Sequence, residues 1–398
     1  MRITYLDHAA ATYLDPRVKR AMLPWFDRNF GNPGSFHGEG KKARDAVEAA
    51  RALIAKLLGA RLEEILFTSG GTEANNLAIL GSARANKNSG KHLITTNAEH
   101  PAVLEVFRHL EKAEGFEVTY LPVDKFGQVR AEDVSRVIKN DTILVSIIYA
   151  NNEIGTINPV PAIGRAIEKH RKDSGRAFPY FHTDACQAAG ALDLVVQKLH
   201  VDLMTVNAGK IYGPKGAGFL YAKRGVKLEP LMWGGHQERG LRPGTENVPG
   251  IVGLAKAFEI AVQERGAESE RLTGLRDELI TGILKKIPKC RLNGHSKERL
   301  PNNVNISILD VEGEALTLYL DAAGIEVSTG SACTSLSLDP SHVIMATGVP
   351  YEVAHSSIRF TLGRRTTASD IGTVLKILPG IVTKLRALSP VKLDEKYL

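Results

Sequence analysis

An α/β fold, with a large, mostly parallel sheet covered by helices and a smaller α+β lobe after it, is what the sequence predicts. Three observations carry that expectation. Short continuous apolar runs alternate with helical patterns over the first two thirds of the chain, as in sheets buried on both faces. Most of these runs lead into polar or glycine-rich loops, where ligands of such sheets gather. From about Gly250 the texture changes to one long helical stretch followed by separated strands and helices. A length of 398 residues, 43% hydrophobic and 24% charged, suits a soluble globular chain of this kind.

Taken in order, Thr4-Tyr5-Leu6 reads as a short strand, expected beside the smaller lobe. Asp15-Pro16 reads as a cap and first-turn proline for a helix running to about Arg28. Ala43, Val47, Ala50, Ile54 and Leu58 recur at helical spacing until Gly59 stops them. Strands are expected at 65–68, 92–95, 118–121, 143–148, 180–183, 203–206 and 219–221. A long helix follows toward Ile287, broken or bent near Gly274, then strands at 303–308 and 357–361. The expected division is a large domain over 15–255 and a small one formed by 1–14 with 256–398.

Several function classes are excluded or demoted. No apolar run approaches the roughly 20 residues that span a bilayer, and Met1-Arg2-Ile3-Thr4 shows no apolar signal region; a cytoplasmic protein is expected. The net charge of +7 is spread among 51 basic and 44 acidic residues, so no basic tract points to direct nucleic-acid binding. Three cysteines, Cys186, Cys290 and Cys333, form no Cys-x-x-Cys pair. Neither a disulfide framework nor a metal site is expected. Gly209-Lys210 and Gly90-Lys91 both lack the spacing and the Ser or Thr of a nucleotide-phosphate loop.

The chemistry-bearing residues sit at expected strand ends. Ser69-Gly70-Gly71-Thr72 joins a strand to a helix, where backbone N–H groups and the helix dipole favour a phosphate; a plain turn is the alternative. His100 opens a helix, as a structural hydrogen-bonding group or as a base stacked on an aromatic cofactor. Asn151 closes another strand and can donate to a phenolate or carboxylate. Asp184 is costly at a sheet edge unless a cation such as a protonated pyridine nitrogen meets it, or unless it caps a helix. Gln187 follows one turn on, and Cys186 reads as core. Lys210, set among glycines after a buried strand, is either a surface lysine or a desolvated amine able to attack a carbonyl. Phosphate seat, stacking histidine, pyridine-nitrogen aspartate and amine appear in that order, which describes a pyridoxal-phosphate site.

With these motifs, and with Tyr5-Leu6-Asp7-His8-Ala9-Ala10, Gly31-Asn32-Pro33-Gly34-Ser35 and Ser356-Ser357-Ile358-Arg359-Phe360, the chain resembles cysteine desulfurases of the NifS/IscS type. These are fold-type I pyridoxal-phosphate enzymes, and the resemblance runs nearly the full length. It implies conversion of L-cysteine to L-alanine with sulfur passed to Cys333 as a persulfide, for iron–sulfur assembly or tRNA thiolation through a protein acceptor. It implies that Gly71, Thr72 and Asn207 hold the cofactor phosphate and that His100 stacks on its ring. Asp184 then pairs with the ring nitrogen, Asn151 and Gln187 contact the ring oxygen or substrate, and Lys210 is the Schiff-base residue. Arg359, Asn151 and Asn32 are implied to hold the substrate. Thr245 is implied to reach the other subunit's phosphate in a homodimer.

Ser328-Thr329-Gly330-Ser331-Ala332-Cys333-Thr334-Ser335 resembles the long cysteine loop of one desulfurase class, expected to be mobile over about 328–341. A thiol of ordinary pKa near 8.5 is only about 3% ionised near pH 7, so a donor-rich pocket is needed to activate it. One departure stands out. The family usually reads Ser-x-His-Lys where this chain reads Asn207-Ala208-Gly209-Lys210, and Gly209 cannot replace an imidazole. Two further readings therefore stand beside the first: a selenocysteine lyase or other pyridoxal-phosphate enzyme of the same fold, and a catalytically impaired cofactor-binding partner protein.

Overall fold

The computed structural model describes residues 3–330, 339–390, 392–394 and 396. Among them, twelve strands run β1 (Thr4–Tyr5), β2 (Ile65–Thr68), β3 (His92–Thr96), β4 (Glu117–Leu121), β5 (Thr142–Ser146), β6 (Tyr180–Asp184), β7 (Leu203–Asn207) and β8 (Gly218–Ala222), then β9 (Cys290–Leu292), β10 (Asn303–Ile308), β11 (Ile325–Glu326) and β12 (Ser357–Thr361).

Seven strands form one sheet in the order β2-β8-β7-β6-β5-β3-β4. Only β8 runs against its neighbours; the other pairs are parallel. The continuous apolar runs follow from this geometry, because β2, β3, β5 and β6 are buried at every position and an alternating pattern would put polar groups against a helix layer. β4, at the edge, is the exposed exception. After β4 the chain returns to lay β5 on the far side of β3, the reversal of order beside which such sheets hold ligands.

A second sheet is antiparallel, β12-β10-β9, and β1 pairs with β11 beside it. The backbone N–H of Thr361 donates to Leu6 O at 2.6 Å, tying the N-terminal strand to β12. Apolar clusters fill both faces of the large sheet, and a separate one holds Leu6, Val304, Ile306, Leu316, Phe360 and Val374. The helix Val248–Lys286 contributes to two of them, Leu254 and Phe258 to one and Leu279 and Ile283 to another.

Two expectations are corrected. The first helix is Pro16–Met22, followed by a 3₁₀ turn at Leu23–Trp25 rather than continuing to Arg28; Pro24 cannot continue the hydrogen-bond ladder. The long helix is one element through Gly274, whose intrinsic penalty of about 1 kcal/mol is outweighed by the buried residues flanking it, Leu272, Arg276 and Leu279. Asp15 caps as expected, its Oδ1 accepting Arg17 N at 2.8 Å, and Gly59 ends its helix at φ 68°. Among the described residues no helix is long and apolar enough to cross a membrane.

Candidate active site

The loops after β2, β3, β5, β6 and β7 meet in a cleft of about 760 Å³ lined by Ala9, Ala10, Gly71, Thr72, Asn75, His100, Asn152, Asp184, Gln187, Asn207, Lys210 and Arg359, among others. The helix Gly71–Asn86 aims its N-terminus here, so first-turn N–H groups and the dipole favour an anion. Gly71 admits no side chain: a Cβ there would lie 2.8 Å from Cys186 Sγ and 3.1 Å from Asn207 Nδ2. Asn207 Oδ1 is buried with no hydrogen-bond partner.

Asp184 ends β6 and is 5% exposed. Its Oδ2 accepts from Asn75 Nδ2 at 2.7 Å and its Oδ1 from Cys186 N at 2.9 Å. Both bonds fix the direction of the side chain. Burial, then the charge of Asp184, pushes the Cys186 thiol well above its ordinary value, which makes it a poor nucleophile despite its place in the wall. Half-buried Lys210 follows β7 in a 3₁₀ turn and donates to Ala10 O at 2.6 Å. His100 caps the helix Pro101–Glu114, Nδ1 accepting Ala102 N at 3.0 Å. That bond places the proton of the neutral ring on Nε2. Structural capping and a place in the cleft wall are therefore compatible. Gln187 donates to Ala9 O at 3.0 Å from the same wall.

Arg359, in the middle of β12, is 1% exposed. Its Nη2 pairs with Asp7 Oδ1 at 2.8 Å and its Nη1 donates to Asn152 O at 3.0 Å. Nε is buried without a partner. A guanidinium kept this dry, with its Nε–H unspent, suits an incoming carboxylate.

Three implied residues do not line the cleft. Asn151 is turned into the fold: Nδ2 donates to Ala98 O at 2.9 Å, while Oδ1 accepts from Glu153 N at 2.9 Å and Ile154 N at 3.0 Å. Its neighbour Asn152 faces the cleft instead, with Oδ1 buried and unpaired. Asn32 is exposed and spends its Oδ1 on Gly34 N at 2.8 Å. Thr245 is exposed, outside this chain's cleft. Cys333 lies outside the described residues.

Glu99, just before His100, is fully buried. Burial pushes its carboxyl up to about 8 from an ordinary 4.5, with the charge of Asp184 adding to it, against bonds from Ile148 N at 3.0 Å and the Thr96 hydroxyl at 2.9 Å. The folded chain holds this proton where the unfolded chain releases it. Its contribution to stability is therefore whole below about pH 4.5 and is lost as pH rises through about 8. Glu99→Gln should flatten that decline. Melting temperatures taken at about pH 5 and about pH 9 should diverge less in the variant than in wild type.

Comparison with known proteins decides the family. The aminotransferase class-V model matches residues 4–374. This chain belongs to the aminotransferase class-V family. It is 51% identical over 395 residues to the cysteine desulfurase IscS of Dictyoglomus turgidum, covering 99% of this chain and 98% of that one. It is also 51% identical over 389 residues to the IscS of Methanosarcina thermophila, covering 98% and 94%. A solved NifS-like protein aligns with a TM-score of 0.89 at 38% identity, over 96% of this chain and 100% of that one. SspA in complex with cysteine aligns with a TM-score of 0.78 at 35% identity, over 90% and 98%. The fold is that of the fold-type I pyridoxal-phosphate enzymes.

Class-V residues in this cleft fit pyridoxal phosphate on geometry. The glycine-tight helix N-terminus suits the phosphate, the oriented buried Asp184 a protonated ring nitrogen, and Lys210 an aldehyde carbon. Asn75, Asp7 and Asn152 escaped the sequence reading. Gly209, where the desulfurase resemblance expects a histidine, leaves space: a Cβ there would meet Lys215 Cγ at 3.8 Å and Asn207 Oδ1 at 4.0 Å, ordinary contacts. Gly209→His should therefore fold and tighten cofactor binding about tenfold, the worth of one added hydrogen bond. Equilibrium titration of apoprotein followed by absorbance checks it.

Proposed function

We propose that the chain is a pyridoxal-phosphate-dependent cysteine desulfurase that converts L-cysteine to L-alanine and takes the sulfur on Cys333 as a persulfide. The observation that carries the reading is the convergence of Lys210, Asp184 and Arg359 on one cleft with a phosphate-type helix terminus, in a chain half identical to desulfurases over nearly its whole length.

When bound, pyridoxal phosphate supplies a carbonyl for an amine and a sink for the electron pair left as Cα–H breaks. The protein's own residues do the rest. Gly71, Thr72 and Asn207 hold the phosphate, and His100 covers the ring. Asp184, oriented by Asn75, keeps a proton on the ring nitrogen. Arg359 binds the substrate carboxylate, and Lys210, once its amine is released, removes the proton at Cα. The Cys333 thiolate attacks the substrate sulfur, so that an S–S bond forms as Cβ–S breaks. His100 supplies a proton at Cβ, Lys210 returns its proton to Cα, and L-alanine leaves.

The finer assignments belong to the same proposal. Thr245, exposed and outside this chain's cleft, reaches the site of a second copy in a homodimer. A protein acceptor, an iron–sulfur scaffold or a tRNA-thiolation protein, takes the persulfide. The domains divide as 15–255 against 1–14 with 256–398, in a reducing, cytoplasmic setting suited to free thiols.

The test is alanine and sulfide formation from L-cysteine with reductant and no 2-oxo acid. Equimolar products support the reading. A requirement for a 2-oxo acid, or turnover of selenocysteine alone, overturns it. Arg359→Lys keeps the charge but loses the two-pronged contact. It should raise KM for L-cysteine about 10–100-fold, the worth of a charge-assisted bond, while cofactor absorbance stays unchanged.

A further inference from the structure

The turn that follows β5 reaches beyond the cleft. Glu153 is 1% exposed, and its Oε2 accepts the Ser341 hydroxyl. A Cβ added at Gly330 would lie 3.1 Å from the same Oε2 and 3.7 Å from Ser341 Cβ. The chain on either side of 331–340, the stretch that contains Cys333, therefore leaves and returns at one buried carboxylate. Before it, Ser328 exchanges two backbone bonds with Arg359, 2.6 Å and 3.2 Å. After it, Ser341 Oγ accepts from Ile344 N at 3.2 Å, and His342 Nε2 bonds Glu99 O at 2.8 Å, one residue from His100.

The backbone of this turn is held without that carboxylate. Glu153 N donates to Asn151 Oδ1 at 2.9 Å, and Glu153 O accepts from Asn303 Nδ2 and Asn305 Nδ2, each at 3.1 Å. Burying a carboxylate is costly, and this one adds nothing to the turn's own hydrogen bonds. Its contact is with Ser341. The preceding residue's carbonyl, Asn152 O, orients Arg359. One turn thus ties the substrate-carboxylate group to both ends of the sulfur-accepting stretch.

We propose that Glu153 is a positioning residue for sulfur transfer: through Ser341 and Gly330 it sets where the Cys333-bearing stretch starts and ends relative to Arg359. Among the described residues it lines no part of the cleft, so its role is one of placement. The inference rests on the desulfurase reading above, with Cys333 as sulfur acceptor.

The experiment is a single turnover of holoenzyme with stoichiometric L-cysteine, quenched by alkylation, with the persulfide on Cys333 read by mass spectrometry. The cofactor's absorbance change on adding L-cysteine is followed in parallel. Glu153→Ala should show the wild-type concentration dependence of that change but form persulfide about 10–100-fold more slowly, the cost of misplacing a reacting group by about an ångström. Glu153→Gln, whose amide oxygen still accepts from Ser341, should stay within about threefold of wild type. Ser341→Ala should match Glu153→Ala, and the double variant should be no worse than either. Persulfide at the wild-type rate in Glu153→Ala or in Ser341→Ala overturns the inference. So do losses that simply multiply in the double variant, or an equal loss of substrate binding. Wild type without persulfide on Cys333 removes the desulfurase reading itself, and the inference falls with it.

Discussion

Cys333→Ala protein is expected to bind cofactor and L-cysteine like wild type yet release no more than a trace of sulfide. The described residues lining the cleft, Gly71 and Arg359 among them, are the ones assigned to cofactor and substrate, so removing the thiol should leave binding intact. Among the described residues the thiol in those walls is that of Cys186, which is buried and pushed toward the neutral form by burial and by Asp184. It cannot substitute. Loss of a covalent nucleophile reads out as about 10³-fold or more in turnover. Sulfide from L-cysteine with reductant is the assay. Sulfide at the wild-type rate would take Cys333 out of the reaction.

Lys210→Ala should be the other near-null variant. The amine sits at the end of β7, 2.6 Å from Ala10 O and in the same wall as Asp184 and Arg359. No other lysine lines this cleft among the described residues. Removing it takes away the group proposed to move the Cα proton, a contribution of about 10²–10⁴-fold for a positioned base. Alanine formation in single turnovers should fall by at least that range. The phosphate seat and Asp184 are untouched, so the variant should still take up cofactor from solution.

Much of this was legible in the chain. Strands buried on both faces must be apolar at consecutive positions, so β2, β3, β5, β6 and β7 showed themselves within a residue or two at most ends. Gly71, Asp184 and Lys210 announced themselves because each is a residue type that is costly or unusual where a parallel strand ends. What stayed hidden depends on chain separation or on local turn geometry. Asn75 and Asp184 are 109 positions apart, and Asp7 and Arg359 are 352 apart; no periodicity couples such pairs. Asn151 and Asn152 are adjacent and chemically identical, and the tight turn closed by Gly155 N on Asn151 O decides which one faces the cleft. Glu153 looked like any loop glutamate until its bond to Ser341 was seen. The run of the long helix through Gly274 went against local propensity because packing on both sides of that residue outweighs one glycine.

The central claim is a covalent bond between Lys210 and pyridoxal phosphate, and borohydride reduction followed by peptide mass spectrometry tests it most directly. A pyridoxyl adduct on the peptide bearing Lys210, absent from Lys210→Ala, is the expected result. Cofactor bound at full occupancy with no adduct on Lys210, or an adduct on another lysine, would contradict the account.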